Sequence, residues 1–285
     1  MKVGIFAPWG KGDLCNASGV FKYKDTLWPG ASIVWFASPE NVDLLAHNPM
    51  VSEVRSWPFP WAAIRVPWLQ ARDSNGALNG RKTEFKEMAD LDLGFFPTPW
   101  QETAHSVPLA LVPKKIFGLP PEAEWHPYLM LCQEDINAAK MLISRLPHKR
   151  TIMFETQSLS DQSISPDLAR HISNIVFGRF GGCNLVFSSK SALPVMGNHV
   201  LSLSGLTVRQ CVAVYNLVDA FIGVSSGVSC ATCCWAANSE VVRVEFCSHP
   251  QSSTVHISRN PRKSRVAFTP EDLIEAVHWM PSQLG

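Results

Sequence analysis

A single carboxylate near the start of the chain lies where acid–base chemistry could take place. The apolar run Val3 to Ala7 predicts a buried strand, and a helical pattern begins at Asp13. Gly10 and Gly12, between the two, would let a ligand approach the backbone closely. Asp13 is the one acid of this turn and could act as a general base. The alternative is that Asp13 only caps the helix.

A second segment, in the other half of the chain, has the form of a phosphate-binding turn. The apolar run Ala220 to Val224 predicts a strand, and a helical pattern follows it. Residues of this turn that could contact a diphosphate are Ser225, Ser226, Gly227, Val228 and Ser229. Free N–H groups at a helix start suit an anion, although the serines could also simply close an ordinary helix start. Two such turns, one in each half, predict a ligand held in a cleft between two α/β domains.

The elements around these turns alternate between strand and helix. The predicted strands are 3–7, 32–37, 51–54, 151–155, 184–188, 199–203, 220–224 and 241–246. The predicted helices are 13–28, 39–46, 134–146, 166–177, 208–217, 228–237 and 270–280. Helical crossovers between strands predict parallel sheets. A Pro-rich passage at 119–127 precedes the second series, which predicts Rossmann-like domains at 1–140 and 141–285.

Between the third strand and residue 80 the pattern changes to an elaborated loop. Its tryptophans Trp57, Trp61 and Trp68 alternate with prolines. Tryptophan faces stack on sugar rings, so this loop could contact an acceptor. Packing of these large rings on the sheet is the favoured interpretation.

Composition bounds the class of protein and its partners. A chain of 285 residues with 46% hydrophobic and 17% charged residues is globular and long enough for two cores. The formal charge of +1 predicts no nucleic-acid partner and at most peripheral membrane contact. The start has no signal-peptide pattern, and the uncharged segment 220–239 contains too many polar residues and glycines for a membrane span. We therefore expect a cytoplasmic protein.

Cysteine spacing and one basic run offer further candidate sites. The eight cysteines lack the even spacing of a disulfide framework, which favours a reducing compartment. Cys230, Cys233 and Cys234 resemble half a zinc knuckle, but no second pair follows at ligand spacing. We therefore expect small buried side chains there and no metal. The basic run 256–265 could touch a phosphate, but an exposed loop is the favoured interpretation.

The context of Asp13 resembles glycosyltransferase family 9, the lipopolysaccharide heptosyltransferases, whose first strand runs into a Gly-Asp-Leu turn and a helix. The stretches Trp28–Ile33 and Pro39–Val54 follow that family's order of helix end, second strand, helix and third strand. In the other half, Leu203–Val208 and Asp219–Ala231 resemble its donor-binding segments. The resemblance covers most of the chain.

This resemblance implies a GT-B fold, an α/β architecture of two Rossmann-like domains facing a central cleft. The N-terminal domain would then be on the acceptor side, and the C-terminal domain would bind the nucleotide sugar. The implied activity is metal-independent and needs no cofactor: a sugar such as a heptose moves from a nucleotide-diphosphate donor to a glycan or glycolipid acceptor in lipopolysaccharide biosynthesis. The resemblance makes Asp13 the general base. Its implied donor-binding residues are Gly12, Gly205, Thr207, Ser225, Ser226, Gly227, Val228 and Ser229.

Three positions depart from the pattern of this family. Ser225 stands where an Asp is usual, Cys230 stands where a His is usual, and the loop Gln157–Ser163 lacks the usual Lys. The loss of charged groups predicts weaker diphosphate binding or a different nucleotide. Two alternatives therefore stay open. One is a catalytically inactive relative that binds a nucleotide sugar or glycan, and the other is a sugar-nucleotide hydrolase or epimerase.

Overall fold

A computed structural model describes residues 1–7, 10–45, 47–56, 90–95, 111–158, 163–188 and 195–284. The chain divides into two compact units, Met1–Met130 and Leu131–Gly285. The tryptophan-rich loop, with Trp57, Trp61 and Trp68, lies outside the described residues.

Within the described residues, the first unit contains a parallel four-stranded sheet. Its strands are β1 (Lys2–Phe6), β2 (Ser32–Ala37), β3 (Glu53–Ser56) and β4 (Leu93–Phe95), in the order β3-β2-β1-β4. Its helices are α1 (Lys11–Ala17), α2 (Lys24–Leu27) and α3 (Leu111–Ile116), with 3₁₀ segments at Ser18–Tyr23 and Pro39–Leu45. The chain leaves β1 towards β2 on one side and later returns to place β4 on the other. The strand order therefore reverses beside β1. Such a topological switch point is where ligands bind in open α/β sheets.

The second unit contains a parallel six-stranded sheet. Its strands are β5 (Thr151–Glu155), β6 (Asn184–Phe187), β7 (Val200–Ser202), β8 (Ala220–Val224), β9 (Val242–Phe246) and β10 (Ser264–Ala267). Its helices are α4 (Gln133–Ile143), α5 (Pro166–Arg179), α6 (Val208–Tyr215), α7 (Gly227–Ala231) and α8 (Pro270–Trp279). The strand order β10-β9-β8-β5-β6-β7 is that of a dinucleotide-binding Rossmann domain. The strand order reverses between β5 and β8, which is the topological switch point of this sheet.

The first helix of the second unit begins before residue 140, where the sequence placed the boundary, and continues past it. Helix α4 packs against α6. The buried carboxylate of Asp135 lies 3.2 Å from Nε of Arg209 in α6. These contacts attach α4 to the second unit, so the division falls between Met130 and Leu131.

Two predicted helices are shorter in the structure. The pattern from 13 to 28 forms α1, a 3₁₀ segment and α2, because the chain tightens at Ser18, whose hydroxyl donates to the carbonyl of Cys15 at 2.6 Å. The helix predicted to run to Ala237 ends at Ala231. There the carbonyl of Ser229, which a longer helix would use, instead accepts from the hydroxyl of Thr232 at 2.8 Å.

The basic run 256–265 is an exposed loop only in part, because its end is packed on the sheet. Residues 264–267 form β10, which pairs with β9. Nη1 of Arg259 donates to the carbonyls of Trp235 and Ala237 at 2.8 and 3.2 Å. Nζ of Lys263 lies 2.7 Å from a carboxylate oxygen of Glu240. These cations are used within the protein.

Most of the cysteines and most of the apolar segment 220–239 are buried in the second unit, whereas Cys15 is buried in the first. All eight cysteines are among the described residues, where none forms a disulfide bond, and every one except Cys132 is buried. Among the described residues, no group of three or more His, Cys, Asp and Glu side chains is arranged to hold a metal ion. The segment 220–239 begins with β8 and α7, and no described helix is both long and apolar enough to cross a membrane.

Candidate functional site

Asp13 lies in the first turn of α1, directly beyond the carboxyl end of β1. The N-cap of this helix is Gly10, so the interpretation of Asp13 as the capping residue is wrong. A Cβ placed on Gly10 would lie 3.7 Å from Oδ2 of Asp13. The carboxyl group therefore lies beside Gly10, and the absence of a side chain on Gly10 keeps that place open. Gly12, also in α1, is half-buried.

The pKa of Asp13 suits a general base that works near neutral pH. No hydrogen bond or ion pair from another described residue contributes to the shift of this pKa. The residue is half-buried by its accessible surface, yet protein surrounds its carboxyl group closely enough to remove solvent. This desolvation raises the pKa of Asp13 from 3.8 to about 6. An acid with this pKa is mostly ionised at pH 7 and is a far better proton acceptor than an exposed aspartate.

The turn after β8 lies at the point where the second sheet changes direction. Ser225, Ser226, Gly227 and Val228 are all half-buried there. Ser226 is the N-cap of α7, and its hydroxyl accepts from N–H of Ser229 at 3.0 Å. The hydroxyl of Ser225 donates to the carbonyl of Ser252 at 2.5 Å. The loop after β9 thereby holds the turn in place.

Ser229 differs from the other candidates of this turn because it is completely buried. The residue is completely buried, and Oγ lies 2.9 Å from Oγ1 of Thr254 and 3.3 Å from a carboxylate oxygen of Glu245. A ligand at the surface of the turn cannot reach it. We therefore remove Ser229 from the set of candidate donor-binding side chains.

Two buried charged residues of β9 connect the turn after β8 to the loop after β9. Arg243 and Glu245 are two residues apart, so they share one face of the strand, and both are buried. Glu245 accepts hydrogen bonds of 2.9–3.3 Å from the hydroxyls of Ser229, Ser253 and Thr254 and the N–H groups of Thr254 and Val255. Arg243 donates bonds of 2.7–3.3 Å to Tyr215, Ser229, Thr232 and Thr254. The network ties α7 to the loop after β9, which in turn holds Ser225.

Gly205 and Thr207 follow β7, the edge strand of the same sheet. Gly205 is exposed with φ of +91°, a conformation that favours glycine. Thr207 is the N-cap of α6, where its hydroxyl accepts from N–H of Gln210 at 3.2 Å. Three strand spacings separate β7 from β8, or roughly 14 Å. Only an extended ligand could contact both turns.

Sequence reasoning missed Glu155, the last residue of β5. It is 5% exposed, and its carboxylate forms a hydrogen bond with the hydroxyl of Ser188, directly after β6. Burial raises the pKa of Glu155 from 4.5 to about 7, although hydrogen bonds from Ser188 and from N–H of Gln157 oppose the rise. A charged residue at the end of an otherwise apolar strand was the signal in the sequence. Arg243 and Glu245 have a related signal, because they are charged residues inside the otherwise apolar strand β9.

Replacing Glu155 with Gln is expected to change how stability depends on pH. Between pH 4.5 and 7 the folded state holds a proton on Glu155 that the unfolded state has lost, so the free energy of unfolding falls as pH rises through that window. Glu155→Gln lacks this loss, and its stability relative to wild type should increase by about 3 kcal/mol between pH 4.5 and 8. Urea denaturation at both pH values measures this. A difference that is constant with pH would contradict it, and exposed Glu271→Gln is the control.

Comparison with solved structures shows which fold these sheets form. E. coli ADP-heptose lipopolysaccharide heptosyltransferase II aligns over 99% of this chain and 99% of its own, at 14% identity and a TM-score of 0.66. A family 9 glycosyltransferase from Veillonella parvula aligns over 95% of this chain and 86% of its own, at 13% identity and a TM-score of 0.63. E. coli heptosyltransferase WaaC, solved with ADP, aligns over the whole of both chains at 12% identity and a TM-score of 0.60.

These likenesses define the fold. No family model matches the sequence, and no curated protein matches it. At 12–14% identity the structural likeness shows the architecture only, and function has to be argued from the residues of the site. The chain has the GT-B-type α/β fold of the heptosyltransferases, which confirms the fold class predicted from the sequence.

Proposed function

We propose that this protein is a cytoplasmic glycosyltransferase that moves a sugar from a nucleotide-diphosphate donor to a hydroxyl of a glycan or glycolipid. The observation that carries the proposal is Asp13. Its carboxyl group lacks a partner among the described residues, has a pKa of about 6 and follows the strand beside which the first sheet changes direction. The chain that carries Asp13 has the fold of the heptosyltransferases.

The chemistry assigns a distinct task to each unit. Asp13 takes the proton from the acceptor hydroxyl as its oxygen attacks the anomeric carbon, and the bond from that carbon to the diphosphate oxygen breaks. The negative charge that develops on the departing diphosphate needs hydrogen-bond donors. In the second unit, the hydroxyl of Ser226 and the N–H groups of Ser226 and Gly227 would supply them. Ser225, whose N–H and hydroxyl donate to the carbonyls of Phe246 and Ser252, would hold the turn in place. No metal ion takes part in this scheme.

The neighbours suggest which donor to test first. One is named an ADP-heptose transferase and another was solved with ADP, so an ADP-linked sugar, with heptose as the first candidate, is the donor to test first. A thermal-shift series with ADP-, GDP-, UDP- and CMP-sugars would identify the nucleotide, because ligand at a hundred times its dissociation constant stabilises by about 2.7 kcal/mol. Transfer to acceptor glycans is then assayed with the donor found. Failure of every nucleotide sugar to stabilise the protein would refute the proposal.

Cys230 favours one alternative, an inactive binding protein on the same fold. It occupies the position where the resembling family usually has a His, and it is 1% exposed, so it cannot replace an imidazole at a ligand. A donor that binds without any transfer to acceptor or to water would identify this alternative. Release of the sugar to water alone would identify a hydrolase.

Replacing Gly227 with Val is expected to weaken nucleotide-sugar binding by at least about tenfold. Gly227 is the first residue of α7, and a branched side chain there would occupy the space in front of the N–H groups. Isothermal titration with the donor measures the loss. Gly178→Val is the matched control, because a Cβ at Gly178 meets nothing within 4 Å and this residue lies near the end of α5, away from the turn. Unchanged affinity in Gly227→Val would place the diphosphate elsewhere.

A further inference from the structure

Glu155 lies at the point in the second unit where a nucleotide-binding sheet holds its ligand. It ends β5, and in the register of the sheet it is opposite Gly223 of β8. Ser225 is two residues beyond Gly223. One strand spacing and two residue rises place the backbone of Glu155 roughly 8 Å from that of Ser225. A charge on Glu155 would therefore act on any anion bound at this turn.

The hydrogen bonds around Glu155 fit an uncharged carboxylic acid. Oγ of Ser188 lies 3.1 Å from the carbonyl oxygen of Phe154 and also within hydrogen-bonding distance of Oε2 of Glu155. A hydroxyl has one hydrogen, and a carbonyl can only accept. The carbonyl of Phe154 also accepts from N–H of Ser188 at 2.9 Å. The Ser188 hydroxyl can donate to an ionised Glu155. A protonated Glu155 can instead donate to Ser188 while Ser188 donates to Phe154, so that both contacts of the hydroxyl are hydrogen bonds.

No charged group compensates an ionised Glu155 within the described residues. The neighbouring β6 leads to Ser188, β8 contributes Gly223, and the following loop contributes the N–H of Gln157. None of these is titratable, and among the described residues no cation or second acid acts on the carboxyl group; Asp161 and Lys190 lie outside those residues. The loop 157–163 also contains no Lys or Arg. An ionised Glu155 would thus be a buried negative charge beside the place proposed for a diphosphate.

We propose that Glu155 is a proton-linked specificity residue of the donor site: uncharged, it lets the carboxyl edge between β5 and β8 accept the diphosphate of a nucleotide sugar, and ionised, it repels that diphosphate. This inference rests on the proposed function. By linkage, donor binding favours the protonated form, so the protein takes up protons when the donor binds near neutral pH. Donor affinity then decreases as pH rises.

The test is isothermal titration with ADP-glucose at pH 6 and pH 8.5. This probe has a diphosphate diester, which keeps the same charge across the range, so a change in affinity belongs to the protein. The wild type should bind at least about tenfold more weakly at pH 8.5. Glu155→Gln, whose amide can donate to Ser188 as the protonated acid does, should bind equally at both pH values. Exposed Glu271→Gln should behave as the wild type.

The outcomes separate this inference from the proposed function. Wild type and Glu155→Gln that bind ADP-glucose with the same pH dependence would overturn the role of Glu155 and leave the donor site in place. A wild type that binds ADP-glucose equally at both pH values would do the same. If the wild type binds neither this probe nor any other nucleotide sugar at pH 6, both the proposed function and this inference are wrong.

Discussion

Replacing Asp13 with Asn is expected to lower the rate of glycosyl transfer by about 10²- to 10⁴-fold, the usual contribution of a general base. The amide has nearly the same shape but cannot accept the proton of the attacking hydroxyl. Donor affinity should be unchanged, because the diphosphate is proposed to bind the second unit. Steady-state kinetics and titration with the donor measure the two quantities separately.

Stability and pH dependence distinguish a base from a structural residue. Burial of Asp13 disfavours its ionised form, so Asp13→Asn should be at least as stable as the wild type at pH 7. In the wild type, kcat/KM should fall about tenfold per pH unit below pH 6, as the base becomes protonated. Exposed Asp25→Asn, in α2, is the control. Near-full transfer activity in Asp13→Asn would show that the catalytic assignment is wrong.

Replacing Arg243 with Met is expected to reduce the free energy of unfolding by about 3–5 kcal/mol. The guanidinium is buried, lies 4.8 Å from the centre of the Phe221 ring and shares the hydroxyls of Ser229 and Thr254 with Glu245. Met fills a similar volume but leaves the carboxylate of Glu245 buried without a cation. Urea denaturation measures the loss, and exposed Arg262→Met should change stability by less than about 0.5 kcal/mol.

A double substitution tests whether the loss comes from the uncompensated charge. Arg243→Met combined with Glu245→Leu removes both charges, so it should cost less than the sum of the two single substitutions. Additive losses would mean that the two residues act independently. Because the network holds the loop that binds Ser225, Arg243→Met should also weaken donor binding under conditions where it stays folded.

Local patterns were sufficient for most of the strands and for the fold class. The strands 32–37, 151–155 and 220–224 were predicted with the bounds that the structure has, because each is an apolar run that ends at a sharp change in composition. Strands β4 and β10 were missed. Each is short and gains its stability from pairing with a strand distant in sequence, which no local pattern records.

The candidate site divides in the same way. The sequence by itself determined that Asp13 follows the first strand and that a serine–glycine turn follows β8, since both depend on residues adjacent in the chain. Only the tertiary structure decided that Asp13 has a raised pKa and no partner among the described residues. It also decided that Ser229 is buried among Arg243, Glu245 and Thr254, and that Glu155 ends the strand beside β8. Desolvation and hydrogen bonding depend on atoms brought together from distant parts of the chain, and the order of residues along it does not contain those distances.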